Sequence, residues 1–232
     1  MMHILSLKKL GALVLLLPSL MLSGCSDSDS DNELVTVDDS GATTIDLQNL
    51  QTTLSTLALG ELTEQEIDGL MYMREEEKLA HDVYSVLYDT WGQGVFENIS
   101  NSEQTHTDAI VELLNRYDLH DPAEGNDIGV FTDATLQSLN DMLVANGSTS
   151  LIDALMVGAA IEEIDMIDIN HYIDQVEEND DILLVYENLL KGSRNHLRSF
   201  VSNLELQSVI YVPQFMDADD YQEIIDTPIE RG

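Results

Sequence analysis

The chain has 232 residues, and its 9 lysines and arginines against 44 aspartates and glutamates set a formal charge of −35. That balance excludes a nucleic-acid backbone as the natural partner, because no basic patch exists to release counterions. A hydrophobic fraction of 44% is enough to bury the core of one domain. The lone cysteine, Cys25, excludes an intramolecular disulfide and any thiolate cluster, which leaves His, Asp and Glu to hold a metal.

Lys8 and Lys9 precede an apolar run from Leu10 to Leu22, the charged start and short hydrophobic stretch of a signal peptide. The run is too short to span a bilayer. It ends in Leu22-Ser23-Gly24-Cys25, which resembles the lipobox of bacterial lipoproteins, whose signal is cut before a cysteine that is then lipid-modified. The resemblance implies a signal over residues 1–24 and a chain anchored to the lipid bilayer through Cys25. Ser26 after the cysteine favours the outer membrane, facing the periplasm. Residues 25–58 are expected to hold the lipidated cysteine and a flexible acidic linker, since Ser26-Asp27-Ser28-Asp29-Ser30-Asp31 cannot bury enough surface to order itself.

Thr63 with Glu66 three residues on is a capping-box signature, followed by apolar residues at helical spacing through Leu70, Met73, Ala80, Val83, Tyr84 and Leu87 to about Trp91. A second helix carries Phe96, Ile99, Ile110, Leu113, Leu114 and Tyr117 and stops at Asp121-Pro122. A shorter helix from Thr132 to Ala145 closes at Asn146-Gly147, and a third long pattern runs from Ser148 to Val176. The fourth starts at Asn179 or Asp180 and ends near Leu206, with a short amphipathic piece from Asp217 to Ile225. Strand signals are nearly absent. These elements predict an all-α fold: a four-helix bundle over residues 59–210, with a short extra helix in its long connection and a C-terminal extension over 211–232.

Several carboxylates fall on apolar faces. At about 100° per residue the stripe of the first helix centres near Glu76, with Glu77 at its border and Lys78 and Asp82 opposite. Glu103 and His106, three apart, share the inward stripe of the second helix. Glu162 aligns with the apolar positions of the third, Glu163 lies on its flank, and Asp165 and Asp168 point to solvent; His196 sits at the edge of the fourth stripe. Buried unpaired carboxylates are costly, and two divalent cations would neutralise several at once, with His nitrogen and Glu oxygen suiting iron, manganese or zinc. The methionines do not cluster and read as core filling. Such a dinuclear centre requires the head groups of Glu103 and His196 to lie within about 8 Å of each other.

At Met73-Arg74-Glu75-Glu76-Glu77-Lys78-Leu79-Ala80, Ser102-Glu103-Gln104-Thr105-His106, Gly158-Ala159-Ala160-Ile161-Glu162-Glu163 and Gly192-Ser193-Arg194-Asn195-His196-Leu197-Arg198, the sequence resembles a ferritin-like family catalogued as domain of unknown function 2202. The resemblance covers about Gly60 to Glu223 and implies a ferritin-like four-helix bundle, distantly similar to rubrerythrins, ferritins and manganese catalases, around two iron or manganese ions. Glu76, Glu103, His106, Glu162 and His196 are the implied metal ligands, with Glu77 and Glu163 as near rivals for ligation. One departure stands out: Ser193 occupies the position three before His196 where a second Glu-x-x-His would carry its acid. Tyr72 and Tyr84 read first as core packing, with hydrogen bonding near the metals as the alternative role for either.

The expected function is an envelope-anchored oxidoreductase acting on peroxide, O₂ or Fe²⁺, with Glu77 or Glu163 as the catalytic proton shuttle. The alternative is a non-enzymatic metal-binding or interaction lipoprotein on the same scaffold. Partners are the lipid bilayer and small molecules or metal ions, with homodimerisation left open.

Overall fold

The computed structural model describes residues 33–231; the signal and Cys25 lie outside them. A hairpin of β1 (Val35–Val37) and β2 (Thr43–Ile45) leads into α1 (Leu47–Leu54), α2 (Glu64–Trp91), α3 (Gly94–Arg116), α4 (Ala134–Gly147), α5 (Leu151–Ile173), α6 (Asp180–Leu206) and α7 (Ala218–Ile225). The fold is thus mostly helical, and the four long helices fall where the periodicity puts them. Thr63 closes the capping box with Glu66. Gly92, at φ 62°, ends α2 in the left-handed region that glycine adopts without penalty, and only Gln93 separates it from the start of α3.

The long helices pack side by side, α2 on α3, α3 on α6, α6 on α5 and α5 on α2, while α4 lies across α2 and α5. Two apolar clusters fill the space between them. One gathers Tyr84, Leu87, Phe96, Leu155, Phe200 and Leu204; the other gathers Leu70, Met73, Ile110, Leu113, Ile182 and Leu189. Along α2, α3 and α6 the two are separated by buried polar side chains: those of 74–78 on α2, Ser102, Glu103 and His106 on α3, and Ser193, Asn195 and His196 on α6. No helix among the described residues is long and apolar enough to cross a membrane.

Part of the expected linker is ordered. Val35 pairs with Ile45 and Val37 with Thr43, and Val35, Ile45, Leu50 and Leu54 are buried in the second apolar cluster. A two-stranded hairpin with three residues a side is marginal alone; burial of these four side chains against α2, α3 and α6 supplies the missing stability. The connection before α4 corrects a second expectation. Lys78 and Asp82 are not solvated, because the loop covers them: Lys78 Nζ donates to the Asp127 carbonyl at 2.9 Å, and Asp82 accepts the Gly129 N–H at 2.8 Å. After α6 the chain folds back, burying Tyr211 and Tyr221, and Glu230 accepts Arg194 through both oxygens at 2.6 and 2.7 Å.

Candidate metal centre

Eight consecutive residues of α2, Met73 to Ala80, are buried, because α3, α4 and α5 and the loop before α4 surround this helix. The three glutamates in a row therefore meet three different neighbours. Glu75 accepts backbone N–H groups of Thr132 and Asp133 and pins the loop. Glu76 faces α5, with Asp165 and Asp168. Glu77 reaches His106 of α3, its Oε2 3.3 Å from Nδ1.

Glu103 is the centre of the group. Its Oε2 lies 2.8 Å from His106 Nδ1 and its Oε1 2.8 Å from His196 Nδ1, far inside the limit a shared centre requires. Glu162 Oε2 completes the second side, 3.4 Å from His196 Nδ1. Two triplets result, Glu77–Glu103–His106 and Glu103–Glu162–His196, each with its ligand atoms within 4.8 Å of one another. The two imidazoles stack at 5.4 Å between centroids, and both are wholly buried.

Although close, His196 Nδ1 makes no aligned hydrogen bond to either carboxylate, and Glu77 Oε1 has no partner. Atoms that converge without pointing at one another are disposed as ligands around a common point. The groups that contact these carboxylates as ion-pair partners are the two histidines, not Lys or Arg. Three buried acids with nitrogen and oxygen donors thus fit divalent metal ions.

The electrostatics follow from this crowding. Burial would raise the Glu103 carboxyl, but the facing His196 and His106 hold it well below the usual range. Burial lifts Glu77 to about 8, against the pull of His106. Burial disfavours the His196 imidazolium, yet Glu103 and Glu162 outweigh that and raise it to about 9. His106 is raised likewise by Glu103 and Glu77. Without metal, the site holds protons at neutral pH that bound cations would displace.

On the far side of both rings stand hydroxyls. Thr43 Oγ1 lies 2.9 Å from His106 Nε2, and Ser102 Oγ 2.8 Å from His196 Nε2. Tyr84 donates its hydroxyl to Glu162 Oε1 at 2.5 Å, so of the two tyrosines singled out it is Tyr84 that touches the group, while Tyr72 bonds Asp168 at 3.2 Å.

Glu103, His106, Glu162 and His196 therefore come together as expected, but Glu76 does not join them; Glu77 stands in its place. The stripe centre misleads here because α2 is enclosed on nearly all sides, so burial no longer discriminates between neighbours. Glu163, the other expected shuttle, lies apart from the group: it accepts Tyr211 O–H at 2.5 Å and the N–H groups of Gln214, Phe215 and Met216 at 2.6 to 3.0 Å, anchoring the C-terminal segment. Asp165, expected in solvent, is buried and accepts the Ser193 hydroxyl. Thr43, Ser102 and Asp165 escaped the sequence reading. Ser102 precedes Glu103 and carried a local signal; Thr43 carried none, since nothing near it in sequence marks the histidines it meets.

Fold and site together define a mostly helical protein whose core holds two overlapping Glu/His groups that could hold a metal ion. The chain belongs to the family described as Uncharacterized protein domain (DUF2202), whose model matches residues 66–228. It is 46% identical over 179 residues to the uncharacterized protein MJ0754 of Methanocaldococcus jannaschii, covering 77% of this chain and 96% of that protein. The crystal structure of that hypothetical protein matches with a TM-score of 0.73, covering 75% of this chain and 99% of the other.

Proposed function

We propose that the chain is a ferritin-like four-helix bundle protein of the bacterial cell envelope, tethered through lipidated Cys25, that holds two iron or manganese ions and acts as an oxidoreductase on peroxide, O₂ or Fe²⁺. The observation that carries this reading is Glu103, whose two oxygens each lie 2.8 Å from a different histidine, so that one carboxylate belongs to both candidate ligand groups. Glu77, Glu103 and His106 would hold one ion, and Glu103, Glu162 and His196 the other. Bound there, iron or manganese supplies Lewis acidity and one-electron redox steps.

The chain's own groups prepare the site. Tyr84 O–H fixes Glu162 through one oxygen and leaves the other facing His196. Burial of every ligand excludes bulk water and strengthens each charge interaction. Before metal enters, the Glu77 carboxyl, raised to about 8 by burial and with Oε1 unpartnered, holds a proton near neutral pH that an incoming cation would displace.

The test is elemental analysis of the chain from residue 26 onward, purified without chelators, beside Glu103→Gln. About two iron or manganese ions per chain, both lost in the variant, are expected, followed by turnover of peroxide or oxidation of Fe²⁺. Wild-type protein that takes up neither metal overturns the reading; tightly held metal that turns over neither peroxide nor Fe²⁺ retains the centre and overturns the enzyme.

A further inference from the structure

The hydroxyl pair behind the two histidines has its proton directions set by counting. Ser102 Oγ lies 2.6 Å from the Thr43 carbonyl oxygen, an atom that only accepts. Thr43 Oγ1 lies 2.6 Å from Ser102 Oγ. Each of these short oxygen pairs needs a proton between its atoms, and each hydroxyl carries only one. Ser102 therefore donates to the Thr43 carbonyl, and Thr43 donates to Ser102. Any other assignment leaves two oxygens 2.6 Å apart with no proton between them.

No hydroxyl proton is then left for an imidazole. Thr43 Oγ1 must accept from His106 Nε2 at 2.9 Å; Ser102 Oγ already accepts the Thr43 backbone N–H at 3.0 Å, and His196 Nε2, 2.8 Å from Ser102 Oγ and 3.4 Å from Thr43 Oγ1, meets no proton from either hydroxyl and must carry its own, shared between the two oxygens. Both histidines keep an N–H at Nε2, so the proton a metal would displace is the one on Nδ1, and Nδ1 is the atom facing Glu77, Glu103 and Glu162. We infer that Thr43 and Ser102 are positioning residues that select Nδ1 as the metal-binding nitrogen of both histidines, making the N-terminal hairpin a working part of the centre. Thr43 is wholly buried, yet it lies outside the residues matched by the family model, 66–228. The inference deepens the di-metal reading and rests on it for its purpose, though the hydroxyl chain stands without metal.

Histidine-detected ¹H–¹⁵N spectra of the chain from residue 26, loaded with Zn²⁺ as a diamagnetic probe, read the tautomer of each ring. Both rings are expected to carry Nε2–H in the wild type. Thr43→Val keeps the shape and removes the hydroxyl; it should erase the fixed tautomer of His106 and weaken Zn²⁺ binding about tenfold or more, while Thr43→Ser restores both. Ser102→Ala should strike His196 first, giving a crossed pattern that general unfolding would not produce. A Thr43→Val protein that keeps Nε2–H on His106 and binds Zn²⁺ within about twofold of wild type overturns the inference. If wild type takes up neither Zn²⁺ nor iron or manganese, the metal reading fails by itself. In the metal-free protein, slowly exchanging Nε2–H resonances that persist unchanged in Thr43→Val then overturn the positioning role, and their loss upholds it.

Discussion

Ser193 of α6 donates its hydroxyl to Asp165 of α5. Ser193 stands three residues before His196, where a second Glu-x-x-His would place an acid, and Asp165 stands three after Glu162. The carboxylate missing from α6 is thus present on the neighbouring helix, buried, with Oδ1 unpartnered. Burial, then Glu77, Glu103 and Glu162, push its carboxyl well above the ordinary value.

A raised acid binds its proton more tightly in the folded state, so folding takes up a proton above the unfolded value of 3.8. The stability of the metal-free protein then falls as pH rises from that value towards the folded one. Asp165→Asn mimics the neutral acid and keeps an acceptor for Ser193. Its metal-free thermal midpoint is expected to match wild type near pH 4 and exceed it progressively at higher pH; parallel curves for the two proteins would refute this.

Metal affinity should depend on pH through the ligands themselves. Cations must displace protons from Glu77, raised to about 8, and His196, raised to about 9. Apparent Mn²⁺ affinity is expected to climb between pH 6.5 and 9 and then level off, with proton release measurable by calorimetry in two buffers of different ionisation enthalpy. A flat profile over that window would contradict the protonated resting site.

Gly192 makes room for the group. A Cβ at this position would lie 2.5 Å from His106 Cε1, 2.6 Å from Nε2 and 3.0 Å from Thr43 Oγ1. Gly192→Ala is therefore expected to cost about 1–3 kcal/mol in denaturant unfolding and to lower bound metal, since His106 and Thr43 must separate. Unchanged metal content would show that the ring can yield without cost.

Glu163→Gln separates anchoring from catalysis. The change places an amide N–H₂ among the donors that Glu163 now accepts from Tyr211 and residues 214–216. A loss of about 2–3 kcal/mol is expected, with faster hydrogen exchange over 211–216 and metal stoichiometry unaltered. Loss of metal with stability intact would return Glu163 to the site.

Glu103 and His106 were legible because their relation is local: three residues on one helix face, read by the same periodicity that defines the helix. Glu76 and Glu77 could not be told apart, since eight consecutive residues of α2 are buried and a stripe loses meaning on a helix surrounded on nearly every side. Val157 to Glu163 on α5 is likewise continuously buried, and there Glu162 and Glu163 point to unrelated partners.

Sequence alone determined the helical class, the boundaries of the long helices and the presence of acids and histidines on core faces, because apolar spacing and end caps act within a few residues. Tertiary structure decided which glutamate joins which histidine and brought Thr43 across 63 residues to His106 and 153 to His196. It also turned Glu163 away to the C-terminal segment. Those choices depend on how four helices and a hairpin rotate and settle against one another, a balance of packing and desolvation that no local spacing records.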